Sequence, residues 1–563
     1  MSHERIPTAV DTIADAYLDA TAAHNPIEAT YFGITDYDDK LPDLTPDWYA
    51  SRSEIRRRAL TALAAATPQD SADRITASAL RDELSIAEEL RAAGEEESSL
   101  KNIASPLQEI RDAFDITPSN NLDDLDTIAR RMRAVPGAIA GYIESLRFAA
   151  ARGDVVARRQ VEAGIHQCEE ISGASGFFAS YASSLTPEDG GEVSSSLRSE
   201  LEDAAAAAST AYSALHDFLR DELLAQARSE DACGRDVYAV YSQAFLGARV
   251  DLEETYEWGQ AELARITAEM HATASRIKPG ASIAEAIAVL DNDESRALHG
   301  TEALQRWMQT TSDAAVDALA GTHFDIPEAI RVLECRIAPT HQGGIYYTAP
   351  SEDLVTRPGQ MWWSVPEGVT KFGTWRELTT VYHEGVPGHH LQVAQTLYRT
   401  QLLNRWRRIA SWVSGHGEGW ALYAERLMAD LGFLDDPGDY MGMLDGQSLR
   451  SARVVIDIGV HCGFDAPAEL GGGAWTYDKA WQFLSAHVHT AEGFRRFELD
   501  RYLGWPGQAP SYKIGERLWL QLREDAKAKQ GDAFDLKTFH RHALDVGSVG
   551  LDILRSAVLG DFG

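Results

Sequence analysis

A chain of 563 residues, 44% hydrophobic and 25% charged, is long enough to bury a large core and has the balance of an ordinary globular protein. Its formal net charge of −34 argues against nucleic acid or an anionic membrane as partner, because both would be repelled. Cys168, Cys233, Cys335 and Cys462 form no CxxC pair, so neither a thiolate zinc site nor a dithiol redox motif is suggested, and their scatter fits a reducing compartment.

The first residues, MSHERIPTAVDTIADAY, lack a basic region followed by a long apolar run, and no 18-residue apolar stretch occurs anywhere. No signal peptide and no membrane span are therefore expected, and the cytoplasm is the expected location. Helical periodicity dominates from the start. Val10, Ile13, Ala14, Tyr17 and Leu18 share one side of a helix over 7–23. The aromatic, turn-rich stretch 29–46 reads as an ordered loop. Long helices are expected over 46–67, 70–94, 122–152 and 155–185. TPEDGG at 186–191 is a break and the best hinge candidate. An Ala-rich helix is expected over 194–228, then helices over 252–277, 282–291 and 301–320.

The character changes near Ile337. Gly, Pro and aromatic residues accumulate, and Ile345–Thr348 and 361–365 read as short strands. One small sheet is expected here, with an edge able to pair with an extended peptide or simply to cover the core.

Next comes TWRELTTVYHEGVPGHHLQ, from Thr374 to Gln392. Thr374 and Glu377 have the spacing of a capping box, which predicts a helix start. His383-Glu384 then resembles the first half of a zinc-hydrolase motif, in which a second His at i+4 shares the face. Here i+4 is Pro387, and the next histidines are His389 and His390. A break at Val386-Pro387-Gly388 would bring His389 round to His383. On a straight helix His390 would be favoured instead, about 700° round and roughly 10 Å along the axis. His389 is the preferred ligand and His390 the alternative.

Zinc held by two His needs a third protein ligand. After a short helix over 391–410 comes SGHGEGWALYAER, in which Glu418 opens a helix after a flexible Gly415/Gly417/Gly419 run. Glu418 is the expected third ligand. Glu425 is expected to orient a ligand or pair with an Arg, and His416 is a weaker candidate. Glu384 is placed to take a proton from water and pass it to a leaving amine. Further on, Arg453, Asp457 and His461 are spaced i, i+4, i+8, which suits a buried ion-pair ladder or a substrate contact. In RYLGWPGQAPSYKIG, Tyr512 could stabilise an oxyanion, and Lys513 or Arg501 could bind a substrate carboxylate.

HEGVPGHHLQ, EGWALYAERL and RYLGWPGQAPSYKIG, in that order, resemble the bacterial "domain of unknown function 885" family. The resemblance covers most of the chain and is strongest over 340–520. The family's signature resembles HExxPGH, which favours His389. Its fold is similar to the carboxypeptidase Taq type of metallopeptidase (gluzincin-like), and more distantly to angiotensin-converting-enzyme-like and oligopeptidase (neurolysin-like) enzymes. The resemblance implies an all-α, two-lobed protein with zinc on the floor of a deep central channel. One metallopeptidase-like domain would span 1–563, with a helical lobe over 1–335 and the zinc-motif region over 336–563. It implies one Zn2+ on His383, His389 and Glu418, Glu384 as base and Tyr512 as oxyanion donor. Lys513, Arg501 and His461 are the expected substrate contacts. The expected activity is hydrolysis of short peptides, as a carboxypeptidase or oligopeptidase, by a monomer or homodimer. A metal-dependent amidase of a small metabolite and a non-catalytic peptide-binding relative are the alternatives.

Overall fold

The first helix, Ala9–His24, is started by a reciprocal cap: Thr8 accepts from the Asp11 N–H, and Asp11 accepts from the Thr8 N–H. This computed structural model describes residues 5–338 and 344–562. The stretch 339–343, inside the region expected to hold strands and turns, lies outside the described residues. The protein is mostly helical, 67% helix against 4% strand, so helix packing and not sheet pairing positions the site.

Most expected helices are present: Pro46–Ala65, Ser71–Ala92, Leu122–Ala151, Leu252–Ile277, Ile283–Asp291 and Thr301–Leu319. The helix expected over 155–185 is two, Arg158–Ser172 and Phe177–Ser184. Between them Gly176 lies so close to the preceding helix end that a Cβ would sit 2.2 Å from the Ile171 carbonyl oxygen. The Ala-rich helix runs Ser195–Phe218 and passes into one π turn, Leu219–Leu223. It stops short of Arg228, whose carbonyl accepts from the Arg158 N–H. The stretch 29–46 is not all loop: Pro26–Tyr31 is helical under an Asn25 cap, and Thr35–Tyr37 forms a 3-10 turn. Two further helices, Pro106–Ile116 and Arg235–Leu246, complete this half.

Among the described residues there are two small sheets rather than one. Strand β1 (Ala297–His299) pairs antiparallel with β5 (Lys371–Gly373). The second sheet has the order β2-β4-β3, with β2 (Leu333–Ile337) parallel and β3 (Ile345–Thr348) antiparallel to the central β4 (Gly359–Trp363). Cys335 and Tyr347 both face Met361 in register. Met361 and Trp363 pack with Leu304 and Met308 of the Thr301–Leu319 helix, so the sheet sits on its own small apolar cluster.

The largest apolar cluster draws on both ends of the chain, from Val10 and Leu18 to Leu554 and Val558. A second lies within residues 27–223, around Trp48, Phe114, Tyr142 and Tyr212. In the first cluster, four helices frame the candidate site: Thr374–Glu384, Ser414–Asp430, Pro437–Cys462 and Ser511–Gln530. Glycines bring their backbones into contact. A Cβ at Gly515 would fall 2.2 Å from the Gly415 oxygen, and one at Gly442 would fall 2.0 Å from the Trp375 oxygen. The Gly415/Gly417/Gly419 run is therefore not a flexible lead-in. It lies inside the Ser414–Asp430 helix as a packing face.

Candidate metal centre

The helix carrying His383 begins at Thr374 itself, with Gly373 as cap residue and no side-chain cap bond, so the capping box expected from Thr374 and Glu377 does not form. It ends at Glu384, where Gly385 leaves helical geometry at φ −94°, ψ −127°. A new helix starts at His389. Within the break, the Gly388 N–H bonds the Tyr382 carbonyl at 3.1 Å and the His390 N–H bonds the Gly385 carbonyl at 3.1 Å. Trp420 clamps the turn by donating its indole N–H to the Pro387 carbonyl at 2.8 Å. Only glycine fits at 388, because a Cβ would lie 1.9 Å from the His383 oxygen. The reversal stands the His389 ring edge-on to His383, centroids 4.8 Å apart and planes at 89°.

Glu418, one turn into its helix, faces both rings. Its Oε2 lies 3.3 Å from His383 Nε2 and 3.4 Å from His389 Nε2. Ligands at about 2.1 Å on the corners of a tetrahedron are about 3.4 Å apart, the spacing a zinc-sized ion requires. Glu418 Oε2 is buried and accepts no hydrogen bond from any described residue. An orphaned carboxylate oxygen between two imidazole nitrogens is a donor set that could hold a metal ion. The ligating atoms of His383, Glu384 and His389 also lie within 4.8 Å of one another, which puts the Glu384 carboxylate beside the same point.

Behind the candidate ligands, Glu425 accepts from His383 Nδ1–H at 2.7 Å and from the Thr379 hydroxyl at 2.5 Å. This fixes the tautomer that turns Nε2 toward Glu418. Burial pushes the His383 pKa down, but Glu418 and Glu425 outweigh it and hold it up at about 10. Burial raises the Glu418 carboxyl, yet the facing His389 and His383 bring it below the usual range. Glu384 is raised by burial, partly offset by the same histidines.

His390 is not at this point. Its Nε2–H donates to the Ile330 carbonyl at 2.9 Å and its Nδ1 accepts from the Tyr347 hydroxyl at 3.0 Å. Both nitrogens are engaged, and burial lowers its pKa to about 4. His416 is turned away as well, its Nδ1 held by the Val549 carbonyl at 3.0 Å.

Tyr512 is half-buried, with the Arg453 guanidinium 4.9 Å from its ring centroid. Burial and then the charge of Glu418 push its phenol up to about 12, which ties it electrostatically to the centre. Its hydroxyl makes no hydrogen bond with the described residues, so it is free to donate.

The other expected substrate contacts are engaged internally. Lys513 bonds Glu516 at 2.5 Å and Gln447, and lies 3.0 Å from Glu262. Arg501 bonds Glu498 and Gln508, each at 2.6 Å. His461 donates to the Tyr502 carbonyl at 2.9 Å and accepts from the Cys233 N–H at 3.2 Å. The Arg453–Asp457–His461 ladder does not form: Arg453 pairs with Glu498 at 2.6 Å, and Asp457 accepts from Tyr238 at 2.7 Å and from the Gly507 N–H at 2.9 Å.

Two residues at the centre carried no sequence expectation. Thr379 is one turn before His383, a spacing that could have marked it. Arg450 has its Nη2 4.0 Å from Glu425 Oε1, and no local pattern announces that contact.

Fold and site together define a helical protein with a buried His–His–Glu cluster suited to a single metal ion. The chain belongs to the family described as "Bacterial protein of unknown function (DUF885)", whose model matches residues 26–558. Among solved structures it is similar to a "putative lipoprotein" from Colwellia psychrerythraea, at 23% identity and TM-score 0.83, covering 99% of this chain and 100% of that one. It is also similar to a "putative lipoprotein of unknown function" from Shewanella oneidensis, at 15% identity and TM-score 0.72, covering 98% and 99%. At these identities the likeness concerns the fold alone. No curated protein matches the chain. No described helix is long and apolar enough to cross a membrane.

Proposed function

We propose that this protein is a zinc-dependent hydrolase of short peptides, working as a carboxypeptidase or oligopeptidase, with a fold related to the carboxypeptidase Taq type. The observation that carries the reading is Glu418 Oε2, buried without a hydrogen bond at 3.3 and 3.4 Å from two imidazole nitrogens. His383, His389 and Glu418 would hold the ion. Zinc bound there supplies Lewis-acid activation of water and of the scissile carbonyl. Glu384, raised by its burial, accepts a proton from the attacking water on its carboxylate and returns it to the leaving amine. The Tyr512 hydroxyl, still protonated at neutral pH, donates to the oxygen that gains charge.

The test is elemental analysis of the purified protein beside two variants, with hydrolysis of short peptides and of non-peptide amides measured in parallel. One zinc per chain is expected in the wild type and in Glu384→Gln, and much less in Glu418→Ala. Glu384→Gln is expected to lower kcat by about 100-fold or more, the usual worth of a general base. Unchanged turnover in Glu384→Gln would remove the assigned base. Cleavage of the non-peptide amides alone would favour an amidase.

A further inference from the structure

Arg450 is a charged group beside this centre for which the chemistry above has no use. It projects from the Pro437–Cys462 helix, and its nearest carboxylate is Glu425, at 4.0 Å, beyond hydrogen-bonding distance. A guanidinium has five N–H donors, and Arg450 gives none of them to a described residue. Its Nε is buried without a partner, while its side chain as a whole stays 19% exposed. Three other cations near the centre, Arg453, Arg501 and Lys513, have short hydrogen bonds to carboxylates. Gly446, one turn back on the same helix, makes room for the group: a Cβ there would come 2.6 Å from Arg450 Nη1. From this position its charge acts on Glu384, Glu425 and Tyr512 alike.

A partly exposed, planar, undonated fork next to a hydrolytic centre matches one ligand group best, a carboxylate gripped through two parallel N–H···O bonds. On a chain of net charge −34, an anionic group would otherwise be repelled. We infer that Arg450 binds the terminal carboxylate of the substrate, so that the site takes peptides by their free C-terminus. This rests on the peptidase reading and narrows it to a carboxypeptidase. Lys513 and Arg501, expected for that role from the sequence, are already committed within the fold.

The test is calorimetric binding of an N-acetylated alanine tetrapeptide, as free acid and as C-terminal amide, to the full-length Glu384→Gln protein. The free acid is expected to bind about 10- to 100-fold more tightly, the worth of a charge-assisted pair. Arg450→Gln should abolish that preference and leave zinc content unchanged. Gly446→Ala, which crowds the guanidinium without removing it, should reduce the preference. Equal binding of acid and amide, a preference that survives Arg450→Gln, or equal weakening of both peptides (the mark of a counter-ion for Glu425) would each overturn the assignment. Hydrolysis that ignores the C-terminal group removes this inference and leaves the peptidase reading standing. Binding of neither peptide removes both.

Discussion

The candidate metal centre depends on a few side chains whose roles are set by what stands behind them. Glu425 is the clearest case. It holds His383 Nδ1–H at 2.7 Å and is itself held by Thr379, so the ring presents Nε2 and nothing else to the ligand point. Glu425→Gln keeps the shape and removes the charge. Metal affinity, measured by competition with a chelator, is expected to fall about 10- to 100-fold, as is usual when the group orienting a metal histidine is lost. An unchanged affinity would mean that packing alone orients the ring. Much at this scale was legible. His-Glu, the Pro-Gly break and the following Glu-Gly-Trp announce themselves by residue type, because ligand chemistry belongs to the side chain. Residue type alone leaves His390 open as the alternative, since the groups that occupy it, Ile330 and Tyr347, belong to distant segments.

Between elements, the site exists because helices approach more closely than side chains would permit. Gly415 and Gly419 on one helix meet Gly515 on another, where an added Cβ would fall 2.2–2.9 Å from opposing atoms of the two glycines. Glu418 and Tyr512 sit beside these contacts, so the distance between ligand helix and phenol helix is set by the absence of side chains. Gly515→Ala would force the helices apart. It is expected to cost about 1–3 kcal/mol or more in thermal unfolding, as overpacking does, and to lower zinc content by displacing Glu418. A variant of full stability and full metal content would show that the contact can relax. The sequence displayed these glycines but suggested the opposite use, a flexible lead-in, because a Gly run looks the same whether it bends a loop or seats a neighbouring backbone. The absent capping box at Thr374 has a similar cause: the spacing fits, but Thr374 is already the first helical residue and Gly373 takes the cap position.

For the molecule as a whole, buried neutral histidines tie stability to pH. The His461 pKa is lowered by burial to about 4, between Tyr502 and Cys233. Below about pH 6.5 the unfolded chain takes up a proton that native His461 refuses until about pH 4. Its contribution is therefore complete above pH 6.5 and is lost as the pH falls through that window, by on the order of 3 kcal/mol for a shift of this size. Asp457, raised by burial to about 7, acts in the opposite sense. His461→Asn should flatten the decline of the urea midpoint between pH 6.5 and 4, and an unaltered slope would place the acid sensitivity elsewhere. Taken alone, the sequence determined that the chain is helical, where its three motifs lie, and which residue types could grip an ion. These follow from local periodicity, from the sterics of proline and glycine, and from the chemistry of imidazole and carboxylate. Only the tertiary structure decided which charges are spent and which are free. Lys513 meets Glu262, Arg501 meets Glu498 and His390 meets Tyr347, while Arg450 meets no hydrogen-bond acceptor among the described residues. A side chain is neutralised by whatever lies next to it in space, and for Lys513 and His390 those neighbours come from segments far away along the chain.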